Sequence, residues 1–255
     1  MPEQMTNRLL CWFSCGAASA VATHTAIEIN KKEHRFDEVV VAYTEVKEEH
    51  PDNKRFLKDC ERWFGVPITV LRNEKYDGSI VNTFEKCRYM AGISGAPCTR
   101  LLKKEVRKSF EKPTDTQVFG YTIEEKRRLD RFIDANNNVK IWAPLIDFGL
   151  TKAECLEILE RADIALPAMY KLGYQNNNCI GCVKGGVGYW NKIRVDFPDV
   201  FQKRAEQSRR LGARLCNYQG KRMYLDELPP DAGNYPTEIM PECGIACEYV
   251  LDITK

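Results

Sequence analysis

Long hydrophobic runs are missing from this chain. No stretch approaches the roughly 20 apolar residues of a membrane span, so no membrane partner is expected. Met1 to Arg8 is polar and runs straight into a strand-like segment, so no signal peptide is expected and the expected compartment is the cytoplasm. Charge of one sign is missing too. The 38 Lys and Arg against 36 Asp and Glu leave a formal net charge of +2, which marks neither a nucleic-acid coat nor a disordered tail. Histidine is scarce: His24, His34 and His50 sit in no cluster and are expected to be incidental. No internal repeat or low-complexity segment is visible.

Cysteine, by contrast, is abundant. The chain has 11, an odd number that in a reducing compartment should not build a disulfide framework. Metal binding or thiol chemistry is the reading for the clustered ones. The others are expected to pack as small hydrophobes: Cys11 in the first strand, Cys60, Cys87 and Cys155 in amphipathic helices, Cys216 in a hairpin.

The length, 255 residues of which 44% are hydrophobic, is enough for one sizeable core. Strand signals at 9–14, 38–44, 67–71, 116–121 and 139–143 alternate with helical ones at 17–31, 51–64, 79–90, 100–110 and 151–161. Thr151 and Glu154 have capping-box spacing. This rhythm predicts an α/β fold with a doubly wound, mostly parallel sheet. After about Gly173 the pattern changes to loops at 176–182 and 184–188, one long helix over 195–211, and a hairpin over 213–228 turning at Gln219-Gly220. We therefore expect an α/β domain over 1–175 and a small cysteine-containing lobe over 176–255.

In an open parallel sheet, ligands sit at the carboxyl ends of the strands. The first strand ends in Ser14-Cys15-Gly16-Ala17-Ala18-Ser19, with a helix following. Small residues let backbone N–H groups approach an anion, and the helix start favours phosphate or sulfate. The alternative is a tight turn that needs small residues only for packing.

This segment resembles the pyrophosphate loop of the adenine-nucleotide α-hydrolase superfamily, Ser-Gly-Gly-x-Asp-Ser. Ser14, Gly16 and Ser19 match; Cys15 replaces a glycine and Ala18 the acid. Further along come Pro144-Leu145-Ile146-Asp147-Phe148, Leu166-Pro167, Met169-Tyr170-x-x-Gly173-Tyr174 and Cys179-x-x-Cys182. Their order resembles the phosphoadenylylsulfate and adenylylsulfate reductase family. So do Tyr43-Thr44-Glu45 after the second strand and Gly120-Tyr121-Thr122-Ile123-Glu124-Glu125 with Arg127 and Arg128 beyond. Thr122 stands where that family has an Arg. The resemblance spans most of residues 9–190. It implies an adenine nucleotide held by Ser14, Cys15, Gly16, Ala17, Ser19, Thr44 and Gly120. Of the basic residues Arg100, Lys103, Lys104, Arg107, Arg127, Arg128 and Arg131, we expect Arg127 and Arg128 to meet its anion and the rest to be solvated helix faces.

Cys179 and Cys182 can reach one metal from a single turn. Cys98, in Pro97-Cys98-Thr99-Arg100 ahead of a helix, is a third candidate ligand. Iron–sulfur members of the resembled family bind a 4Fe–4S cluster with a Cys-Cys pair here and a later Cys-x-x-Cys; Pro97 takes the first place of that pair. Three ligands transfer and the fourth is open. Zinc is the alternative metal. The tail reads Glu242-Cys243-Gly244-Ile245-Ala246-Cys247, like the family's Glu-Cys-Gly-Leu-His, whose Cys attacks the nucleotide's sulfur. Cys243 is thus a candidate nucleophile and Cys247 a candidate resolving thiol. A zinc site from Cys179, Cys182, Cys243 and Cys247 is equally open.

The resemblance implies a sulfonucleotide reductase-like oxidoreductase supplied by a thiol reductant protein, in a homo-oligomer or alone. A second reading is an ATP-dependent, cluster-assisted sulfur transferase acting on a nucleic acid or base, with Lys203, Arg204, Arg209, Arg210, Arg214, Lys221 and Arg222 along a polynucleotide. For that run a solvated face is the favoured reading. A third is a non-catalytic nucleotide- or metal-binding module.

Overall fold

The computed structural model describes residues 7–92, 95–240 and 243. The sheet strands are β1 (Arg8–Trp12), β2 (Glu38–Thr44), β3 (Ile68–Leu71), β4 (Thr116–Val118) and β5 (Lys140–Trp142). Between and after them run α1 (Ala17–Glu33), α2 (Asn53–Phe64), α3 (Ile80–Cys87), α4 (Glu105–Phe110), α5 (Lys126–Ala135), α6 (Pro144–Asp147) and α7 (Lys152–Arg161). All five strands are parallel, in the order β3-β2-β1-β4-β5. The protein is therefore α/β with an all-parallel sheet flanked by helices.

β1 shows why its apolar run is continuous. Leu9, Cys11 and Phe13 enter a core with Ile27 of α1, Phe56 and Phe64 of α2 and Leu159 of α7. Leu10 and Trp12 point the other way, to Phe119 and to Leu129 and Phe132 of α5. A strand buried on both faces has no polar side to show. Arg8 anchors its start through two buried bonds to Asp115, Nε–Oδ1 at 2.7 Å and Nη2–Oδ2 at 2.6 Å. The chain order reverses between β1 and β4, so the crevice of such a sheet lies between the turns after these strands.

The rest of the described chain forms α8 (Ala168–Lys171), α9 (Val187–Asp196), α10 (Pro198–Arg210) and the hairpin β6 (Cys216–Tyr218)–β7 (Lys221–Met223). These pack around Tyr189, Trp190, Phe201, Leu225 and Tyr235, with Met169 and Tyr174 included. Cys179 and Val183 join a further cluster with Val46, Ile80 and Phe84, which binds this region to the sheet side. The hairpin turns at Gln219 (φ 51°) and Gly220 (φ 77°) as expected, the two positive φ values of a tight two-residue turn.

Two expected elements change. The single helix over 195–211 is two, because Pro198 has no N–H and steers Phe197 to φ −139°. The first of them begins at Val187, inside the run expected to be loop. The expected helix over 100–110 opens as a π-helical turn, Thr99–Lys104, before α4. Such turns are rare and concentrate at functional sites. Among the described residues no helix is long and apolar enough to cross a membrane.

Candidate functional site

Four thiols from three distant segments line one cavity: Cys98, Cys179, Cys182 and Cys243. Cys98 immediately precedes the π-helical turn. The Cys179–Cys182 turn is held from two sides. Ile180 N donates to Glu48 O at 2.8 Å, tying it to the segment after β2. The buried Tyr189 hydroxyl accepts from Cys182 N at 2.9 Å and donates to Cys179 O at 3.3 Å. Gly181 takes φ +72°, a left-handed conformation that favours glycine. A Cβ at Gly185 would lie 1.8 Å from the Tyr189 ring, so that glycine makes room for the tyrosine. Cys243 is placed by its backbone: its N–H goes to Asn178 Oδ1 at 2.9 Å and its carbonyl accepts from Lys103 Nζ at 2.8 Å. Lys184 Nζ stands 3.8 Å from Cys243 Sγ.

The electrostatics separate one thiol from the other three. Burial pushes Cys98 up to about 12 and Cys182 up to about 11, and raises Cys179 as well; neighbouring thiols add to each. Burial also opposes ionisation of Cys243, but Lys184, Lys103 and Arg128 outweigh it and hold that thiol below its usual range. Lys103 is buried, which disfavours its charge, yet Cys243 and Glu49 more than compensate and its pKa is raised. Glu49 Oε1 lies 3.8 Å from Lys103 Nζ. Arg204, expected on a solvated face, is buried against the Phe84 ring and within reach of the charges of Cys98, Cys179 and Cys182. The cavity is thus a thiol-lined space bordered by cations.

The turn after β1 is closed by the chain's own groups. Cys15 adopts φ 61°, a left-handed conformation uncommon for a residue with a Cβ. Cys15 to Ser19 are buried and Ser14 is half-buried. Ser19 Oγ accepts from Ser14 N at 3.0 Å and lies 2.9 Å from Ser14 Oγ and 3.0 Å from Gly16 O, to which it donates. Ala17 N, the first helical N–H, donates to Tyr170 OH at 3.3 Å. An anion entering this turn must take the place of that hydroxyl. A Cβ on Gly120 would lie 2.6 Å from both the N and the Cα of Ser19. Its glycine therefore answers a close backbone approach. Thr44 is buried at the end of β2, its hydroxyl without a hydrogen-bond partner among the described residues.

Of the two arginines chosen from sequence, only Arg128 is near enough for its charge to act on Cys243. Its guanidinium lies 5.4 Å from the Tyr121 ring centre, and its charge favours the Cys243 thiolate. Arg127 is exposed on α5. Lys103 and Arg107, expected on solvated helix faces, are both buried. Cys247 lies outside the described residues. The basic run expected along 203–222 is dispersed: Arg204 is buried, Arg209 pairs with Asp226 and Glu227, and Arg210 with Glu85.

A buried polar chain joins the turn to the cavity. Asn177 Nδ2 donates to Cys15 O at 2.7 Å and to Asn53 Oδ1 at 2.8 Å. Asn53 Nδ2 donates to Glu49 Oε2 at 3.0 Å, which also accepts from Tyr43 OH at 2.5 Å. Glu49 faces Lys103, and Lys103 reaches Cys243. Asn176 Nδ2 donates to Met240 O at 2.6 Å. The three asparagines, read from sequence as turn formers, are all buried and each ties a different segment. Sequence reading also passed over Glu49 and Tyr189. A run of three amides between two apolar stretches was the one signal for the asparagines.

No family model matches this chain, and no curated protein matches it. The donor set must speak for itself. Among the described residues no three His, Cys, Asp or Glu side chains are grouped so as to share one metal ion. The four thiols are instead spread along the wall of one cavity that Thr99 also lines, and the Thr99 hydroxyl is buried with no hydrogen-bond partner among the described residues. The free space between them is about 10 Å³, room for about one water. Thiol sulfurs, surrounding cations and an unpaired donor suit an anionic iron–sulfur cluster.

Proposed function

We propose that this protein is an iron–sulfur enzyme of the sulfonucleotide-reductase kind. In this reading Cys98, Cys179, Cys182 and Cys243 hold a 4Fe–4S cluster, and an adenine nucleotide binds at the adjoining strand ends. One observation carries it: four thiols from three distant segments share one cation-bordered cavity. A cluster presents its irons at separate corners, whereas a single zinc draws every sulfur to about 2.3 Å from one point. The cluster, when bound, supplies electron-transfer or electrostatic assistance next to the substrate.

The remaining steps belong to the chain. Of the two roles open to Cys243, ligand is favoured, because its sulfur shares the cavity with the other three. The attacking thiolate then comes from Cys247 or from a thiol reductant protein. A thiolate attacking the sulfur of an adenylylsulfate forms a thiosulfonate and releases the nucleotide. A second thiol closes a disulfide and releases sulfite, so two thiols are oxidised as the sulfur is reduced. Arg128 and Lys184 add positive charge beside the cavity for an anionic substrate. The polar chain from Cys15 to Lys103 fixes turn and cavity relative to each other.

ATP-dependent sulfur transfer to a nucleic acid has less support, since Ala18 stands where ATP-cleaving relatives of the resembled superfamily carry an acid, and Arg204 of the basic run is buried while Arg209 and Arg210 are paired with carboxylates. The test is anaerobic purification with iron, sulfide and zinc analysis, a visible spectrum, and sulfite release from adenylylsulfate and its 3′-phosphorylated form with dithiothreitol. A brown protein that releases sulfite is expected. A colourless protein with stoichiometric zinc overturns the proposal, and an iron–sulfur protein that releases no sulfite from either donor removes the reductase half.

A further inference from the structure

We propose that Thr99 donates its hydroxyl hydrogen to a sulfur of the group in the four-thiol cavity and so helps to set the potential at which that group accepts an electron; this rests on the iron–sulfur reading above.

Thr99 follows Cys98 directly and begins the π-helical turn. It is 7% exposed, and its Oγ1 is buried with no hydrogen-bond partner among the described residues. Buried hydroxyls almost always find a partner. A threonine at the start of a helical turn commonly bonds back to a carbonyl of the preceding turn, and this one does not. The residue lines the same cavity as the four thiols. Among the described residues, the rest of that wall offers no competing side-chain acceptor. Val46, Ile80, Phe84 and Leu102 are hydrocarbon, and Lys103 and Lys184 are donors. Sulfur is the acceptor that remains.

A hydrogen bond to a thiolate or sulfide withdraws charge from the metal group. It stabilises the reduced, more negative state over the oxidised one and raises the reduction potential. Lys103 and Lys184 act in the same direction by charge, but each also engages Cys243 itself, the first at its carbonyl and the second at its sulfur. The Thr99 hydroxyl is a neutral donor, so its removal leaves the charge of the site unchanged.

The test compares the full chain with Thr99→Val and Thr99→Ser after anaerobic reconstitution with iron and sulfide. Samples are matched for iron content and titrated with dithionite while electron paramagnetic resonance is followed. Valine keeps the branched shape and deletes the donor; serine keeps the donor. A more negative midpoint in Thr99→Val, with Thr99→Ser near the parent value, is expected. Should valine not fold, Thr99→Ala serves in its place and the same shift is expected. A midpoint unmoved in the valine or alanine variant overturns the role given to Thr99 and leaves the cluster reading standing. A parent chain that takes up no iron and sulfide overturns both.

Discussion

Asn178 Oδ1 accepts the backbone N–H of Cys243 at 2.9 Å, across 65 positions of the chain. This bond places the fourth thiol through its backbone, without using its sulfur. Asn178→Ala leaves a buried N–H unpaired, an effect of about 1–3 kcal/mol. A lower urea midpoint is expected, together with faster alkylation of Cys243 by iodoacetamide, read by peptide mass spectrometry. An unchanged alkylation rate would show that the thiol is placed by other contacts.

Gly120 and Ser19 touch backbone to backbone, which no side chain on residue 120 permits. Gly120→Ala brings a Cβ to 2.6 Å from the Ser19 N and Cα unless the two turns part. Overpacking of this kind typically destabilises by about 1–3 kcal/mol. Urea melts check the loss. Adenylylsulfate binding by calorimetry should weaken in parallel, since the displaced turn is the one proposed to receive the nucleotide.

The Arg8–Asp115 pair is buried, with side-chain exposures of 6% and 0%. Arg8→Met strands the carboxylate, a loss of about 3–5 kcal/mol. Arg8→Met/Asp115→Asn removes the stranded charge yet keeps an oxygen for the Lys112 N–H, which Asp115 accepts at 2.7 Å. Chemical denaturation should show the double variant more stable than the single one. The reverse order would mean that Asp115 is protonated or solvated once Arg8 is gone.

His24 stacks on Trp63 with ring centres 3.9 Å apart and planes 6° from parallel. Burial holds its pKa below 6.5, with Glu28 partly opposing. The native state therefore binds fewer protons here than the unfolded chain. Its contribution to stability is complete above about pH 6.5 and lost as pH falls through the lower folded-state value. Urea midpoints of the parent and His24→Phe, measured from pH 7.5 to 5, should converge or cross on the acid side. Parallel pH profiles would remove His24 as the titrating group.

The sheet was legible because its cause is local. A strand buried on both faces must be apolar along its length, and the runs 9–13 and 39–43 inside the expected strands 9–14 and 38–44 read that way without any partner in view. The capping box at Thr151 and Glu154 and the turn at Gln219-Gly220 are also short-range chemistry, and both formed where expected. α5 had no place among the expected elements, since only its Leu129 and Phe132 are buried and its other face is charged. The cysteine set was legible only in part: Cys98, Cys179 and Cys182 stood out by motif, while Cys243 had two roles that spacing could not separate.

By itself the sequence determined the elements of the parallel sheet, the turn after β1 as a place of small residues, and the excess of thiols. Tertiary structure alone decided that Cys243 joins Cys98, Cys179 and Cys182, that Lys103 and Arg204 are buried beside them, and that Tyr170 covers the turn. The physical reason is range. Hydrophobic periodicity and capping act within a few residues, whereas the meaning of a thiol, a lysine or a hydroxyl depends on which distant groups share its dielectric and its hydrogen bonds.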